Sequence, residues 1–170
     1  MSRFLTRLDV TPYVDGKSWV VLAPFKYEDD KLGVITVPVG FLTDFASTPW
    51  WSRPVFPSTG YHQWAAVIHD WLYWIQACSR AEADRVFLEA MRVSGTLLSK
   101  RRAMWRAVRI GGWWAWGLNA RDRKAEVARI VDPNKLPAPT DLAPRRGLDR
   151  LAAIFFAKTK AAACLVLALR

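Results

Sequence analysis

The chain has 170 residues, of which 52% are hydrophobic and 24% charged, and its formal net charge is +10. This composition excludes an intrinsically disordered chain and predicts one compact domain with an appended segment. The excess of positive charge favours nucleic acid, an anionic membrane or an acidic neighbouring subunit as a partner.

Residues 3–45 predict a small N-terminal antiparallel sheet. Asp15 and Gly16 form a tight-turn dipeptide ahead of the strand-like run 18–22 (SWVVL). A second turn leads into the β-branched and apolar run 34–41 (VITVPVGF). Because Pro38 has no backbone N–H, we expect that strand to lie at a sheet edge or to bulge there.

The loop and helices that follow form the second part of the predicted core. Residues 42–60 contain three prolines and a Trp-Trp pair, which predicts an ordered, irregular loop. Three helices are predicted, over residues 61–76, 79–95 and 99–119. The second begins with a capping box formed by Ser79 and Glu82. The third has a basic side made of Lys100, Arg101, Arg102, Arg106 and Arg109.

The amino-acid composition changes twice in the C-terminal third of the chain. Residues 121–147 are polar, charged and rich in proline, which predicts an extended basic arm. Residues 148–170 are apolar but carry Lys158 and Lys160, so they predict a helix that docks on a partner or lies on a membrane without spanning it. The fold class is therefore α+β: a sheet packed with three helices over residues 1–120, then the arm and the C-terminal helix.

The two cysteines predict a chain made in a reducing compartment. Cys78 and Cys164 lie far apart in the sequence, without metal-type spacing. We expect both to be reduced thiols in a protein synthesised in the cytoplasm. No apolar run of signal-peptide length opens the sequence.

Polar residues in the first two helices predict a site. His69 and Tyr73 are four residues apart and share a helical face, while Asp70 is offset by about 100°. Asp84 lies in the next helix about one turn after its cap, and the short linker predicts an antiparallel hairpin that carries Asp84 toward His69. A carboxylate on one ring nitrogen fixes the tautomer and raises the basicity of the other, which could then take a proton from water.

Three further residues complete the predicted site. Asp70, with its hard oxygen ligands, could hold a cation such as calcium, and Asp44 could add a second carboxylate. Ser47 lies in the same polar turn as Asp44, where such side chains commonly cap their own backbone. The alternative is that His69, Asp70, Tyr73 and Asp84 form a paired structural cluster, because buried polar groups need partners.

Three short motifs resemble those of a domain family of unknown function, number 1353, which is common in tailed phages and prophages. They are residues 40–49 (GFLTDFASTP), 69–73 (HDWLY) and 83–84 (AD), in that order. The resemblance extends over roughly residues 3–118. It implies a phage or prophage origin and no established activity.

A more local resemblance concerns the His-Asp helix, which looks like the catalytic core of phospholipase A2 enzymes. That likeness implies catalytic roles for His69 as the activator of water, Asp84 as the residue that orients it and Tyr73 as a brace, with Asp70 binding calcium. The glycine-rich calcium loop of those enzymes is not matched, because residues 57–62 (PSTGYH) contain one glycine.

Three functional hypotheses follow. The first is a tail-associated structural or accessory protein of the virion, made in the host cytoplasm and assembled with other virion proteins into an oligomer. The second is a phospholipase A2-like or other metal-dependent hydrolase that acts in phage entry or lysis. The third is a protein that binds a host membrane surface or nucleic acid through its C-terminal tail. The basic side of the third helix, interleaved with tryptophans, is usually solvated charge, but the same mixture also suits nucleic acid or a membrane interface.

Overall fold

The computed structural model describes residues 1–45 and 60–136, which belong to a compact unit, Met1–Leu136. Its described elements, in chain order, are β1 (Arg3–Phe4), β2 (Val10–Pro12), β3 (Trp19–Val21), β4 (Phe25–Asp29), β5 (Gly33–Val37), β6 (Leu42–Thr43), α1 (His62–Ile75), α2 (Arg80–Val93) and α3 (Leu98–Lys124). The α+β class predicted from the sequence is confirmed.

The strands form two three-stranded antiparallel sheets where the sequence predicted one. One has the order β1-β4-β5 and the other the order β2-β3-β6. The hairpin turns are local, and the sequence located both: Asp15 accepts hydrogen bonds from two backbone N–H groups, and Gly33 takes a φ of +72°. The pairing of β1 with β4 and of β3 with β6 is non-local, and strand patterns carry no information about such partners.

The prediction at Pro38 is confirmed in its edge-strand form. Strand β5 ends at Val37, one residue earlier, and it pairs only with β4 within its sheet. One edge of the sheet therefore stops where the chain can no longer donate a ladder hydrogen bond.

The three helices begin and end within a few residues of the predicted positions. The capping box is present, since the Ser79 hydroxyl accepts from the Glu82 N–H and the Glu82 carboxylate accepts from the Ser79 N–H. Helix α1 ends at Ile75 and is capped by Gln76 in the left-handed conformation, with φ of +52°. Helices α1 and α2 pack as the predicted hairpin, and α3 packs against both. No helix in the described ranges is long and apolar enough to cross a bilayer.

The core lies between the sheets and α1 and continues between α1, α2 and α3. Phe4 and Phe25 from the first sheet contact Trp64 of α1 edge to face, with ring centroids 5.2 and 5.8 Å apart. Phe41 meets Trp71 in the same way at 5.1 Å. These aromatic contacts fix α1, the helix that carries His69, against the strands.

Residues 121–136 contribute to the compact unit, although the sequence predicted an extended arm from residue 121. Helix α3 runs to Lys124, and the segment after it returns to the second sheet, where Phe41 and Ile130 form an antiparallel bridge. Arg129 lies over the rings of Phe41 and Trp74, which lets a charged segment pack on the core. The remainder of the predicted arm, the C-terminal helix and most of the 42–60 loop lie outside the described residues.

Candidate functional site

The site is built on a hydrogen bond between α1 and α2. His69 Nε2 lies 3.0 Å from Asp84 Oδ1. The Asp84 residue has no exposed surface, and His69 is 4% exposed. The α-hairpin brings these residues together as the sequence predicted, because a short linker makes the helices antiparallel and places the start of α2 beside the second half of α1.

Tyr73 joins the same carboxylate oxygen. Its hydroxyl donates to Asp84 Oδ1 at 2.6 Å, one helical turn after His69. The His69 ring also contacts two aromatic rings, with centroid distances of 4.1 Å to Tyr73 and 4.7 Å to Phe87. His69 is therefore held both by a directional hydrogen bond and by contacts with two aromatic rings.

Two arginines hold the second oxygen of Asp84, and the sequence did not reveal either role. Arg109 of α3 donates to Oδ2 at 2.8 Å and Arg80 of α2 at 3.3 Å. Arg80 precedes Asp84 by four residues, a spacing that places both on one helical face. Arg109 was predicted on the basic side of the third helix, but it turns toward the α1–α2 hairpin, because a buried carboxylate needs compensating charge.

The protonation states follow from these contacts. Burial alone raises the pKa of Asp84, but hydrogen bonds from His69, Tyr73 and Arg109 outweigh it and hold the pKa below its usual value. Burial lowers the pKa of His69, although the hydrogen bond to Asp84 and the negative charge of Asp84 act to raise it. Burial prevails at His69 because removing the charged imidazolium from water costs more than its hydrogen bond and charge interaction with Asp84 recover.

The ionised carboxylate also selects the tautomer of His69. An ionised Asp84 can only accept hydrogen bonds, so Nε2 must carry the proton and Nδ1 must carry the lone pair. No hydrogen bond joins Nδ1 to any residue within 1–45 or 60–136. Burial and the neighbouring Asp84 raise the pKa of Tyr73, so its hydroxyl remains a donor. The arrangement leaves one basic nitrogen in a neutral, oriented imidazole.

Asp70 is held apart from this network. Its Oδ2 accepts a hydrogen bond from the Thr43 hydroxyl at 2.6 Å, which ties α1 to β6. Asp70 and Asp44 are both half-buried and take part in further interactions. One Asp70 oxygen is therefore already hydrogen-bonded to Thr43, and the role of Asp70 as a cation ligand stays a prediction.

The described part of the chain adds no further ligand to the predicted cation site of Asp70 and Asp44. Within residues 1–45 and 60–136, no three His, Cys, Asp or Glu side chains converge as a metal site would require. Ser47 lies outside the described residues. Cys78 is a free, half-buried thiol whose pKa is raised by burial, as expected for an unreactive cysteine.

Comparison with known proteins gives one match. A family model described as a protein of unknown function, DUF1353, matches residues 19–108, more than half of the chain. The matched region contains His69, Tyr73, Arg80 and Asp84 and stops one residue before Arg109. No curated protein and no solved structure shows significant similarity to the chain.

Proposed function

The chain belongs to the DUF1353 family, and because this family is one of unknown function, we propose an activity from the site itself: hydrolysis of an ester with His69 as general base. The observation that carries the proposal is the buried 3.0 Å hydrogen bond from His69 Nε2 to Asp84, which leaves Nδ1 as the basic nitrogen. Asp84, Tyr73 and the two arginines are positioning residues in this scheme.

The reaction needs one proton relay. Water attacks the ester carbonyl carbon as its proton passes to His69 Nδ1, and the alkoxide leaving group then takes that proton as the C–O bond breaks. The products are a carboxylic acid and an alcohol. The lowered pKa of His69 favours this role, because the imidazole is already in its basic form at neutral pH.

The substrate class comes from the likeness to phospholipase A2 enzymes at residues 69–73 and Asp84. By that likeness we propose a lipid ester as substrate and a role in phage entry or lysis. Calcium would bind through Asp70 and Asp44 if it takes part. Because Thr43 occupies one Asp70 oxygen and no further ligand set is described, no step of the proposed reaction is assigned to a metal.

The test is fatty-acid release from phospholipid vesicles, with calcium and with a chelator, by the full chain and by His69→Gln. Glutamine can still donate to Asp84 but cannot act as a base, so the variant should fold and lose activity by about 100-fold or more. His62→Gln, at the other histidine of the chain, is the matched control and should retain activity.

Two results would contradict the hydrolase. One is equal release by the parent and by His69→Gln. The other is no release of any ester product, from vesicles or from a small chromogenic ester, by a parent chain whose melting curve shows it to be folded. Either result would leave the network as a structural link between α1, α2 and α3, the alternative that its burial also supports.

A second candidate function is an accessory or structural role in the virion, as the family resemblance suggests. The observation that favours it is the exposure of Ile110, Trp113 and Trp114, because large apolar groups clustered on a surface mark interaction sites. Mass spectrometry of purified phage particles should then detect the chain at a fixed copy number. Its presence in the host lysate but not in washed particles would exclude this role.

A further inference from the structure

Helix α3 has an outer face that is unlike the rest of the described surface. Met104 and Gly112 are buried on its inner side, while Ile110, Trp113 and Trp114 are 77%, 66% and 63% exposed on the other. These three lie within one helical turn of one another and form a single apolar patch. We call this set the tryptophan patch.

Exposed cations flank the tryptophan patch along the same face. Arg102 and Arg106 precede it, and Arg121 and Lys124 follow it, at spacings that return to the same side of a helix. None of the four makes an ion pair with a residue described in the structure. Arg106 and Arg121 are roughly 22 Å apart along the axis, from the rise of the helix.

Helix α3 itself contributes no negative charge to this face. The single acidic residue of α3 is Asp122, which is half-buried and lies roughly 120° around the helix from Ile110. A partner that covers the whole face must therefore be negatively charged at two ends and apolar between them.

We propose that this face binds the surface of an anionic phospholipid bilayer. Tryptophan is enriched where acyl chains meet headgroups, since its ring is apolar while its N–H needs a polar partner. Arginine and lysine at either end match anionic headgroups. Ile110, the third member of the patch, has no hydrogen-bonding or stacking group and is accommodated by acyl chains.

Two other occupants fit this face less well. Two copies of this face would oppose arginines to arginines in either orientation. Single-stranded nucleic acid could stack on the two tryptophans, but it offers no apolar partner to Ile110.

The membrane proposal stands independently of hydrolysis. It uses none of the residues around Asp84, so His69→Gln should bind vesicles as the parent does. Loss of ester hydrolysis with intact vesicle binding would therefore leave this proposal in place, and the reverse result would leave the hydrolase in place.

The experiment is flotation of the full chain with vesicles of phosphatidylglycerol and phosphatidylcholine, or of phosphatidylcholine alone, over a salt series. The parent should bind the anionic vesicles preferentially. The double variant Trp113→Ala/Trp114→Ala should lose about tenfold or more in partitioning. Arg106→Gln/Arg121→Gln should lose about fivefold for each charge at low salt, with the difference shrinking as salt is added.

Matched controls lie elsewhere on the surface. Tyr61→Ala removes an aromatic residue that is 76% exposed, and Arg7→Gln/Lys17→Gln removes two exposed cations. Both should bind as the parent does, and melting curves should show that every variant is folded.

Three outcomes overturn the proposal. The first is equal vesicle binding by the parent and by both α3 variants, which would assign binding to another segment such as the basic C-terminus. The second is equal binding to neutral and anionic vesicles. The third is tighter binding to single-stranded DNA than to anionic vesicles, with the same α3 substitutions removing it, which would identify a nucleic-acid surface.

Discussion

At the scale of single residues, Asp84 organises the site. Its two oxygens accept hydrogen bonds from side chains of all three helices, and the residue has no exposed surface. A buried carboxylate is tolerable only when it is fully paired, because the desolvation cost is large. Each of its partners therefore contributes to stability whether or not the site performs chemistry.

The first prediction removes that charge. Asp84→Asn should lower the free energy of unfolding by about 3 kcal/mol, because Arg80 and Arg109 lose a buried counter-ion. Urea titration followed by circular dichroism measures the change. Glu28→Gln is the control, since its ion pair with Arg3 lies at the surface and contributes little. Equal effects of the two substitutions would show that Asp84 is not the organising residue.

The second prediction concerns pH. The pKa of His69 is below its ordinary value of 6.5 in the folded protein, so the unfolded chain binds a proton more readily than the folded one. The contribution of His69 to the free energy of unfolding is complete above pH 6.5 and falls as the pH drops toward the pKa of His69 in the folded protein. Unfolding measured at pH 7 and at pH 5 should show the parent losing more stability than His69→Gln. An identical loss in both would contradict the lowered pKa.

The same linkage has a second window at lower pH. The pKa of Asp84 lies below its ordinary value of 3.8, so its contribution is present above that value and is lost as the pH falls through the folded pKa. The two pH ranges therefore separate the stability contribution of the histidine from that of the carboxylate.

The pH dependence of the proposed reaction follows from the same pKa of His69. The value of kcat/KM should stay level from neutral pH to below pH 6.5 and then fall as His69 is protonated.

At the scale of elements, α3 completes the site by lying close to α1. Gly112 faces the Tyr73 hydroxyl so closely that a Cβ atom there would overlap it. Trp116, one turn later, packs edge to face on the Tyr73 ring at 5.0 Å. The approach of the two helices therefore depends on the absence of a side chain at residue 112, and it places Arg109 within reach of Asp84.

The third prediction compares two adjacent glycines. Gly112→Ala should destabilise the protein by about 1–3 kcal/mol, because the new methyl must displace Tyr73 or α3. Gly111→Ala has open space around its Cβ and should stabilise the helix by about 0.5–1 kcal/mol through lower backbone entropy in the unfolded chain. Thermal unfolding of both variants measures the difference. A stabilising Gly112→Ala would contradict the close packing.

At the scale of the whole molecule, the segment after α3 ties the helices back to the second sheet. Arg129 donates to the Leu42 carbonyl and to the Asn119 side chain, and Val131 N–H donates to the Gly40 carbonyl at 2.9 Å. Gly40 has φ of +84°, and the Val131 carbonyl approaches it so closely that no side chain would fit. This contact closes the compact unit.

The fourth prediction tests that closure. Arg129→Ala should lower the free energy of unfolding by about 2 kcal/mol, because it removes charged hydrogen bonds and cation–π contacts together. It should also speed hydrogen exchange at the Leu42 and Val131 amides. Arg7→Ala, at an exposed arginine of the N-terminal part, should change neither quantity. Unchanged exchange in Arg129→Ala would show that the segment stays paired without it.

What the sequence determined by itself was local. Periodicity and turn residues predicted the helices and the hairpin turns, the Ser79–Glu82 pair predicted the start of α2, and residue spacing placed His69, Tyr73 and Asp84 together. All of these depend on residues close in the chain, which hydrogen-bond geometry constrains directly. Only the tertiary structure decided the non-local features. These are the division of the strands into two sheets, the hydrogen bonds of Thr43 to Asp70 and of Arg109 to Asp84, and the return of residues 129–131 to the second sheet. Those contacts join distant parts of the chain, and a charged or polar residue such as Arg109 looks the same in sequence whether it faces solvent or a buried carboxylate.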